Sequence, residues 1–275
     1  LAKTPFILDE SQLGATGFFR YYLTDQVSVR GGLAYGKISG DDLNKETSFR
    51  RNLSFESDIM EVSAVATYDI FDVAYENFVP YVYGGVAYFK HNPKADLNGT
   101  MVELQPLGTE GQGIAGFGNP YSLGQISVPF GAGAKMRITD DFLIMTDYGA
   151  RKTFTDHLDD VSRLEYVDPN VFQSAYGATD PGRLGLLQQL AYRGDELAGG
   201  VPYADFQSES IRERFPRNLS DDKDWYYQIT VGVSYMFGSK YTNPIEKNRK
   251  RVPYRIKTQK KKEKKEKKSS TPSPE

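Results

Sequence analysis

The stretch DWYYQITVGVSYMFG, residues 224–238, alternates between apolar and polar positions along nearly its whole length. Every second residue from Trp225 to Phe237 is apolar and would lie on one face of a β-strand, with Tyr226 and Gln228 on the other face. At about 3.3 Å per residue and a tilt of about 40°, the distance from Trp225 to Phe237 is a rise of about 30 Å. This rise matches the distance between the two interfaces of a membrane. The stretch therefore predicts a strand with one face in lipid and aromatic residues at both interfaces.

Six further segments are strand-like, and their connections are alternately short and long. The segments are ATGFFRYYL, VSVRGGLAYGKI, DIMEVSAVATYDI, FVPYVYGGVAYFK, GQISVPFGAGAKMRI and FLIMTDYGARKTF. Short links follow the segments that end near Leu23, Ile70 and Ile138, and long polar connections follow the others. This alternation is typical of an up-and-down outer-membrane barrel, whose periplasmic turns are short and whose extracellular loops are long.

The alternation also predicts which side chains face lipid and which face the interior. The predicted lipid face consists of apolar residues: Phe19, Tyr21, Val29, Leu33, Tyr35, Met60, Val62, Ala64, Ile126, Val128, Phe130, Phe142, Ile144 and Tyr148. The predicted interior carries charges of both signs: Arg20, Arg30, Glu61, Lys135, Asp147 and Arg151. An eight-stranded barrel is just wide enough inside for side chains to fill it. We therefore expect a plugged interior of paired charges rather than an open channel.

The even number of strands in closed barrels predicts one strand in addition to the seven that are visible in the sequence. A closed single-chain barrel of this class has an even number of strands, and seven are visible. The prediction is an all-β fold, a transmembrane antiparallel up-and-down β-barrel of eight strands whose first strand lies upstream of Leu1. The alternative is that residues 3–9 form a poor strand themselves. The barrel domain is then residues 1–238, N-terminally incomplete, and residues 239–275 form a separate basic tail.

No catalytic, metal or cofactor site is predicted. The chain has no cysteine, which excludes disulfides and thiolate metal sites. The segment TDHLDDVS, residues 155–162, could hold a cation or simply order a loop through hydrogen bonds, and its spacing matches no standard calcium loop. His157 and Ser162 alone do not define a nucleophile and its base, so we expect no enzyme. The Gly-rich stretch LGTEGQGIAGFGN, residues 107–119, is expected to be a flexible outer loop.

The end of the last strand resembles the terminal signature that the outer-membrane barrel assembly machinery reads. That signature has a polar residue, a glycine and two aromatic or apolar residues at alternate positions. Thr230, Gly232, Tyr235 and Phe237 occupy these places in TVGVSYMF. The barrel is therefore expected to close at Phe237, and the residues after Phe237 are expected to form an appendage.

The net charge of the tail is opposite in sign to that of the preceding residues. Residues 246–275 carry 13 Lys or Arg and 4 Asp or Glu, which leaves the preceding 245 residues with a net charge of −11. A tail in the periplasm would meet no nucleic acid, so two alternatives remain open: a solvated disordered segment, or a docking segment for an acidic periplasmic protein or an anionic envelope surface. In the second case Arg251, Tyr254 and Arg255 are the residues expected to give specificity.

Several blocks together resemble one family. They are GLAYGKISGDD, RNLSFESDIMEVS, PYVYGGVAYFKHNPKA, LQPLGTEGQG, YSLGQISVPFGAGAK and TFTDHLDDVSRLEYVD, and they cover nearly all of residues 14–238. The chain resembles the PorG-like outer-membrane β-barrel family of Bacteroidota. The resemblance implies an outer-membrane component of the type IX secretion system, associated with a periplasmic ring made of a lipoprotein and its partner. The alternatives are a small-molecule porin, or a surface adhesin that acts through the loop at residues 155–223.

Overall fold

The computed structural model describes residues 11–44, 50–73, 76–218 and 223–237, and its main element is one antiparallel sheet. The strands are β1 (Gly14–Tyr22), β2 (Val27–Asp41), β3 (Ser54–Asp69), β4 (Phe78–Leu97), β5 (Thr100–Glu103), β6 (Gly124–Arg137), β7 (Phe142–Thr153) and β8 (Trp225–Tyr235). Their order is β1-β2-β3-β4-β6-β7-β8, and the four-residue β5 pairs with the end of β4. The all-β class, the up-and-down order and the seven long strands expected from the sequence are confirmed.

The sheet curls into a half-barrel, so that strands far apart in the order face each other across its concave side. Arg30 on β2 bonds to Asp147 on β7, and Glu61 on β3 bonds to Tyr226 on β8. Within the described residues, β1 pairs only with β2 and β8 pairs only with β7. The half-barrel therefore has two free edges, and we call the gap between them the seam.

The two faces of the sheet differ in the way that the alternation predicts. The convex face carries large exposed apolar side chains, with Phe19, Val231 and Phe237 exposed by 69%, 75% and 83%. The concave face buries charged side chains, including Glu61 and Lys135. An apolar convex face around a polar concave face is the reverse of a water-soluble barrel with an apolar interior.

Two of the short turns at one end of the sheet share a Thr-Asp pair and a hydrogen-bond pattern. Both LTDQV and ITDDF place a threonine at the start of the turn. Thr24 Oγ1 accepts the backbone N–H of Val27 at 2.9 Å, and Thr139 Oγ1 accepts that of Phe142 at 3.1 Å. A threonine that bonds to the backbone locally favours a turn over continued pairing. These turns lie at the end of the sheet where Phe237 lies, and we call it the short-turn end.

At the other end, the long connections fold into a compact body that we call the cap, formed by residues 98–123 and 155–218. It contains α1 (Leu104–Leu107), α2 (Pro169–Tyr176), α3 (Pro181–Leu190), α4 (Glu209–Arg214) and two short 3-10 turns. Its own apolar core includes Phe172, Leu187 and Phe206, all fully buried. None of the helices in the described residues is long and apolar enough to cross a membrane.

Candidate functional site

The concave side of the half-barrel holds three layers of charged groups. In the middle layer, Arg30 Nη1 donates to Asp147 Oδ2 at 3.2 Å. The same carboxylate accepts the hydroxyls of Tyr81 at 3.0 Å and Tyr83 at 3.3 Å. Three donors from strands β2 and β4 thus converge on one carboxylate from β7, which fixes the facing strands against each other.

The layers on either side repeat this arrangement. Towards the short-turn end, Lys135 Nζ donates to both carboxylate oxygens of Asp69 at 2.6 Å and to the hydroxyl of Tyr22 at 3.0 Å. Towards the cap, Glu61 Oε2 accepts from Tyr226 at 2.7 Å and from Arg151 Nε at 3.4 Å. All of the carboxylates in the three layers are buried. The layers therefore form a continuous polar network along the axis of the half-barrel.

Apolar side chains fill the space between and beyond these layers. Three clusters lie in order along the axis: Val73, Val79 and Leu143 near the short turns, Val65, Tyr81, Tyr83 and Met145 in the middle, and Ile59, Phe89, Leu158 and Tyr226 beneath the cap. In the part of the chain that the structure describes, the concave side is packed rather than open. Such an interior suits a rigid plugged body better than a conducting pore.

Room for one of the tyrosine rings comes from a glycine on the facing strand. A Cβ atom at Gly149 would lie 1.9 Å from the Tyr83 hydroxyl oxygen and 2.8 Å from Arg151 Nη1. No real Cβ atom makes contacts this short, so a larger residue at this position would displace Tyr83 from Asp147. Gly31, on the convex face of β2, has nothing within 4 Å of the same hypothetical atom.

The sequence-predicted interior charges are placed on the concave face, and five of the six lie in ion pairs there: Arg30, Glu61, Lys135, Asp147 and Arg151. Sequence reasoning missed Asp69, the partner of Lys135. The signal was present, because Asp69 lies on β3 at the same parity as Glu61. It was overlooked because Asp69 is the last residue of its strand, where alternation is hardest to follow.

Arg20 is the exception among the six. It lies on β1, the strand at one side of the seam, and its guanidinium group lies 5.3 Å from the centre of the Tyr81 ring. Its Nε and Nη2 atoms are buried and have no hydrogen-bond partner among the described residues. No carboxylate of the described residues forms a salt bridge with it.

A second buried network holds the cap together, and its centre is Glu110. One carboxylate oxygen accepts from Arg217 Nε at 3.0 Å and from the backbone N–H groups of Ser162 and Arg163. The other accepts the Ser162 hydroxyl at 2.6 Å. Burial opposes ionisation of this group, but Arg217 and these hydrogen bonds outweigh burial and lower the pKa of Glu110. Glu110 is therefore an ionised anchor for two separate connections.

Asp160 lies beside this anchor and is also fully buried. Its carboxylate accepts the hydroxyl of Tyr121 at 2.7 Å and that of Thr109, and its backbone oxygen accepts from Arg217 Nη2 at 3.0 Å. Burial, and then the nearby charge of Glu110, raise the pKa of Asp160 to about 7. The residue has a backbone φ of +60°, in the left-handed region that aspartate tolerates better than most residues. Hence Asp160 can change its charge near neutral pH while Glu110 remains ionised.

The chain's two histidines meet on either side of Tyr121. The Tyr121 ring stacks on His157 with a centroid distance of 4.2 Å and lies 6.1 Å from His91, nearly parallel to both. Ser162 bonds to Glu110 instead of His157, so these two residues do not form a nucleophile and its base. Within the described ranges, no group of three His, Asp or Glu residues could hold a metal ion. In the segment TDHLDDVS, the backbone N–H groups of His157, Leu158 and Val161 donate to side-chain oxygens of Thr155, Asp224 and Asp159, and these hydrogen bonds order the loop.

Residues 107–119 were expected to form a flexible outer loop, but the first half of this stretch is buried. Thr109, Glu110 and Gln112 are buried, and Gly108 accommodates the left-handed turn that ends α1, with φ of +74°. The first half of the Gly-rich stretch supplies the anchor of the cap, whereas residues 113–119 are largely exposed.

The four residues of the assembly signature lie on β8 and just beyond it. Thr230 and Gly232 are on the concave face, whereas Tyr235 and Phe237 are exposed on the convex face. The Tyr235 ring packs edge-on against Phe237 at 4.7 Å and against Phe142 at 5.1 Å, so the signature ends in an aromatic cluster at the short-turn end. The proposed tail contacts Arg251, Tyr254 and Arg255 lie outside the described residues.

Comparison with known protein families gives a match over the first part of the chain. Residues 4–107 match the family described as a domain of unknown function, DUF6089. This range covers β1 to β5 and α1, which is the first half of the sheet. No curated protein matches the chain.

Proposed function

We propose that this protein is an outer-membrane β-barrel that anchors a periplasmic ring complex of the type IX protein secretion machinery. The observation that carries the membrane part is the convex face, where large apolar side chains are exposed on every long strand. A contiguous apolar surface of this extent is unfavourable in water and marks a surface that another apolar medium covers. The secretion part is supported by the resemblance of the sequence blocks to the PorG-like family.

The height of the apolar face agrees with insertion in a bilayer. On β8 the exposed apolar residues run from Tyr227 to Phe237. At about 3.3 Å per residue and a tilt of about 40°, this run rises about 25 Å, the height of the apolar band of outer-membrane barrels. Aromatic rings lie at both ends of the band, with Tyr148 stacked on Tyr227 and Tyr235 packed on Phe237. Aromatic girdles at the two interfaces are expected for such proteins.

The two ends of the half-barrel support one orientation. Short turns face the periplasm in this class of barrel, and long connections face the outside. The short-turn end would then lie in the periplasm, and the cap would lie at the cell surface. Because Phe237 lies at the short-turn end, the basic tail would enter the periplasm, where a ring complex can reach it.

The packed interior favours an anchor over a small-molecule porin. The three charged layers and the apolar clusters between them occupy the concave side along the axis. The cap offers a second candidate function, a surface adhesin, because it is a folded body with its own core. Neither function requires a cofactor.

Affinity purification of the full-length protein from detergent-solubilised membranes tests the proposal. We expect the protein in the outer-membrane fraction, with the periplasmic ring lipoprotein and its partner co-purifying. An unrelated outer-membrane barrel with the same affinity tag is the control for detergent carry-over. Recovery of the protein without ring components would contradict the secretion role, and large stable conductance in a planar bilayer would contradict the plugged interior.

A further inference from the structure

We propose that Lys152, Lys223 and Trp225 form a binding site for the phosphate group of an anionic membrane lipid, at the cap-side boundary of the apolar convex face. The inference rests on the proposed membrane barrel, because it needs the convex face to lie in a bilayer. It adds the chemistry of one lipid that this face would bind.

The lysines of the described residues gather at one end of the sheet. Of the six lysines in these ranges, Lys135 lies on the concave face, and the other five lie towards the cap end of the strands or just beyond it: Lys37, Lys90, Lys94, Lys152 and Lys223. The links at the short-turn end carry carboxylates instead: Asp25, Asp72, Asp140 and Asp141. Within the described ranges, ammonium groups therefore border the convex face at its cap end and not at its short-turn end.

Neighbouring carboxylates neutralise two of these five lysines. Lys37 Nζ lies 2.5 Å from Glu56 and Lys94 Nζ lies 2.9 Å from Asp58, and both carboxylates belong to β3. The convex positions of β6, β7 and β8 carry no carboxylate. The remaining lysines have no ion pair among the described residues: Lys90, Lys152 and Lys223. The positive charge on this side of the boundary therefore lacks a counter-charge in the part of the chain that the structure describes.

Trp225 fixes the position of one of these ammonium groups. Lys152 is the register partner of Trp225 on the neighbouring strand, and its Nζ lies 5.6 Å from the centre of the indole ring. The ring in turn packs edge-on against Phe130 at 5.9 Å. A cation–π contact orients the lysine without neutralising its charge. The ammonium group of Lys152 is therefore held at the boundary and can still bind an anion.

Lys223 brings a second ammonium group to the same place. The backbone of Asp224 bonds to that of Thr153 and Thr155, which holds the chain beside the end of β7 just before β8 begins. Asp224 is buried, whereas Lys223 and Trp225 on either side of it are accessible, so both lie on the convex side. Two ammonium groups beside one indole suit a phosphate, which offers negative charge and several acceptor oxygens.

The surroundings of the site favour a lipid over a soluble anion. Phe154 and Ile126, on the strands next to the site, are largely exposed apolar side chains. A phosphate held by exposed lysines alone gains little in water. Acyl chains attached to that phosphate would cover the exposed apolar side chains and add the free energy of their burial. Lysine also suits this boundary, because its apolar stem can lie along the band while its ammonium group reaches the headgroups.

The single tryptophan makes the site directly observable. Trp225 is the only tryptophan of the chain, so its fluorescence reports the lipids in contact with this position. The full-length protein would be reconstituted in vesicles of phosphatidylglycerol and phosphatidylcholine, with bromine on the acyl chains of one lipid at a time, because bromine quenches tryptophan on contact. We expect the relative binding constant to be about fivefold higher for phosphatidylglycerol, whose phosphate charge is not balanced by a choline.

Two double variants with the same change of charge test which lysines are responsible. Lys152→Gln with Lys223→Gln should abolish the preference, so that both lipids quench Trp225 equally, whereas Lys152→Arg with Lys223→Arg should retain it. Lys37→Gln with Lys94→Gln is the control, since it removes two lysines from the same boundary that already have carboxylate partners, and it should keep the preference. An unchanged preference in the first double variant, or an equal loss in the control, would overturn the site.

Further outcomes separate this site from its alternatives. Inorganic phosphate should reduce the preference no more than sodium chloride at the same ionic strength. A specific loss in phosphate would indicate a site for a soluble anion and would overturn the lipid assignment. Equal quenching by the two lipids in the unsubstituted protein would overturn the phosphate site and leave membrane insertion in place. Absence of quenching by both brominated lipids would instead overturn the proposed membrane barrel.

Discussion

Arg217 and Glu110, 107 positions apart in the chain, form a buried ion pair in which Arg217 Nε lies 3.0 Å from Glu110 Oε1. Both side chains are almost entirely inaccessible to solvent. Glu110 belongs to the connection between β5 and β6, whereas Arg217 belongs to the connection between β7 and β8. The pair therefore ties the two long connections into one cap.

Loss of the Glu110 charge should loosen the cap and leave the strands intact. Glu110→Gln removes the counter-charge of a buried arginine, and such a change costs about 3 kcal/mol or more. We expect limited proteolysis to cleave within residues 155–218 much faster than in the unsubstituted protein, with unchanged heat-dependent migration on gels. Glu209→Gln, an exposed residue of α4, is the control and should cleave at the normal rate. Equal cleavage of the two variants would show that the ion pair does not hold the cap.

The stability of the cap should decrease as the pH rises from about 4 to 8. Burial and neighbouring carboxylates raise the pKa of Asp160 to about 7 and that of Asp224 to about 8, from an ordinary value of 3.8. At a pH between the ordinary pKa and the raised pKa, the folded state binds more protons than the unfolded state. The contribution of these groups to stability is therefore full below the ordinary pKa and is lost as the pH rises through the raised pKa. Proteolysis or hydrogen exchange of the cap at pH 5, 7 and 9 would measure the change.

The contribution of His157 to the stability of the cap should have the opposite pH dependence and be lost at low pH. Burial lowers its pKa below the ordinary 6.5, so its contribution is present above that value and is lost as the pH falls through the lowered pKa. Asp160→Asn removes one of the carboxyl groups with a raised pKa and should flatten the profile above pH 5. A profile that keeps its full slope in this variant would contradict the assignment of the effect to Asp160.

Two ion pairs on β3 should contribute very differently to barrel stability. Glu61 is 3% exposed and accepts from Arg151 and Tyr226, whereas Glu56 bonds to Lys37 on the partly exposed outer surface. We expect Glu61→Gln to lower the unfolding free energy by about 3 kcal/mol and Glu56→Gln by less than about 1 kcal/mol. Samples of each variant would be heated to a series of temperatures before electrophoresis. The temperature at which the folded band disappears would report the stability of each variant. Similar losses for the two variants would argue against a packed polar interior.

A matched pair of glycines tests the packing of the tyrosine layer. Gly149→Ala should push Tyr83 away from Asp147 and cost about 1–3 kcal/mol, because its Cβ would overlap the tyrosine hydroxyl. Gly31→Ala introduces the same atom on the open convex face of β2 and should be nearly neutral. Unfolding midpoints in urea compare the two. If Gly149→Ala were as stable as Gly31→Ala, the interior at Tyr83 would be looser than its contacts indicate.

The strands were predictable because their pattern is local, and the cap was not because its contacts are distant. The alternation from Trp225 to Phe237 specifies a strand and its two faces without reference to the rest of the chain. By contrast, the burial of Glu110 depends on Arg217, which no local pattern connects to it. One local signal was available in the cap. Asp168 and Asp180 each precede a proline, and each accepts a backbone N–H as the N-cap of α2 or α3.

The tail prediction depends on the orientation proposed for the barrel. The links at the short-turn end, residues 24–26, 71–77 and 138–141, are too short to offer much surface to a periplasmic partner. Residues 246–275 carry a net charge of +9, and oppositely charged patches accelerate encounter and respond to salt. We therefore expect deletion of residues 239–275 to leave the barrel folded in the membrane and to weaken co-purification of an acidic periplasmic partner. Added salt should reproduce part of this loss in the full-length protein.

A substitution within the tail separates specific contacts from general attraction. Arg251, Tyr254 and Arg255 lie among apolar residues in RVPYRI, whereas the run KKKEKKEKK contains no residue suited to a specific apolar contact. The triple change of these three residues to alanine should lower partner recovery more than changing three lysines of the run to alanine, although the loss of positive charge is smaller. Partner recovery should be compared at two salt concentrations for both variants. If the truncated protein kept its partners with unchanged salt sensitivity, the tail would be a solvated appendage and the docking surface would lie elsewhere on the barrel.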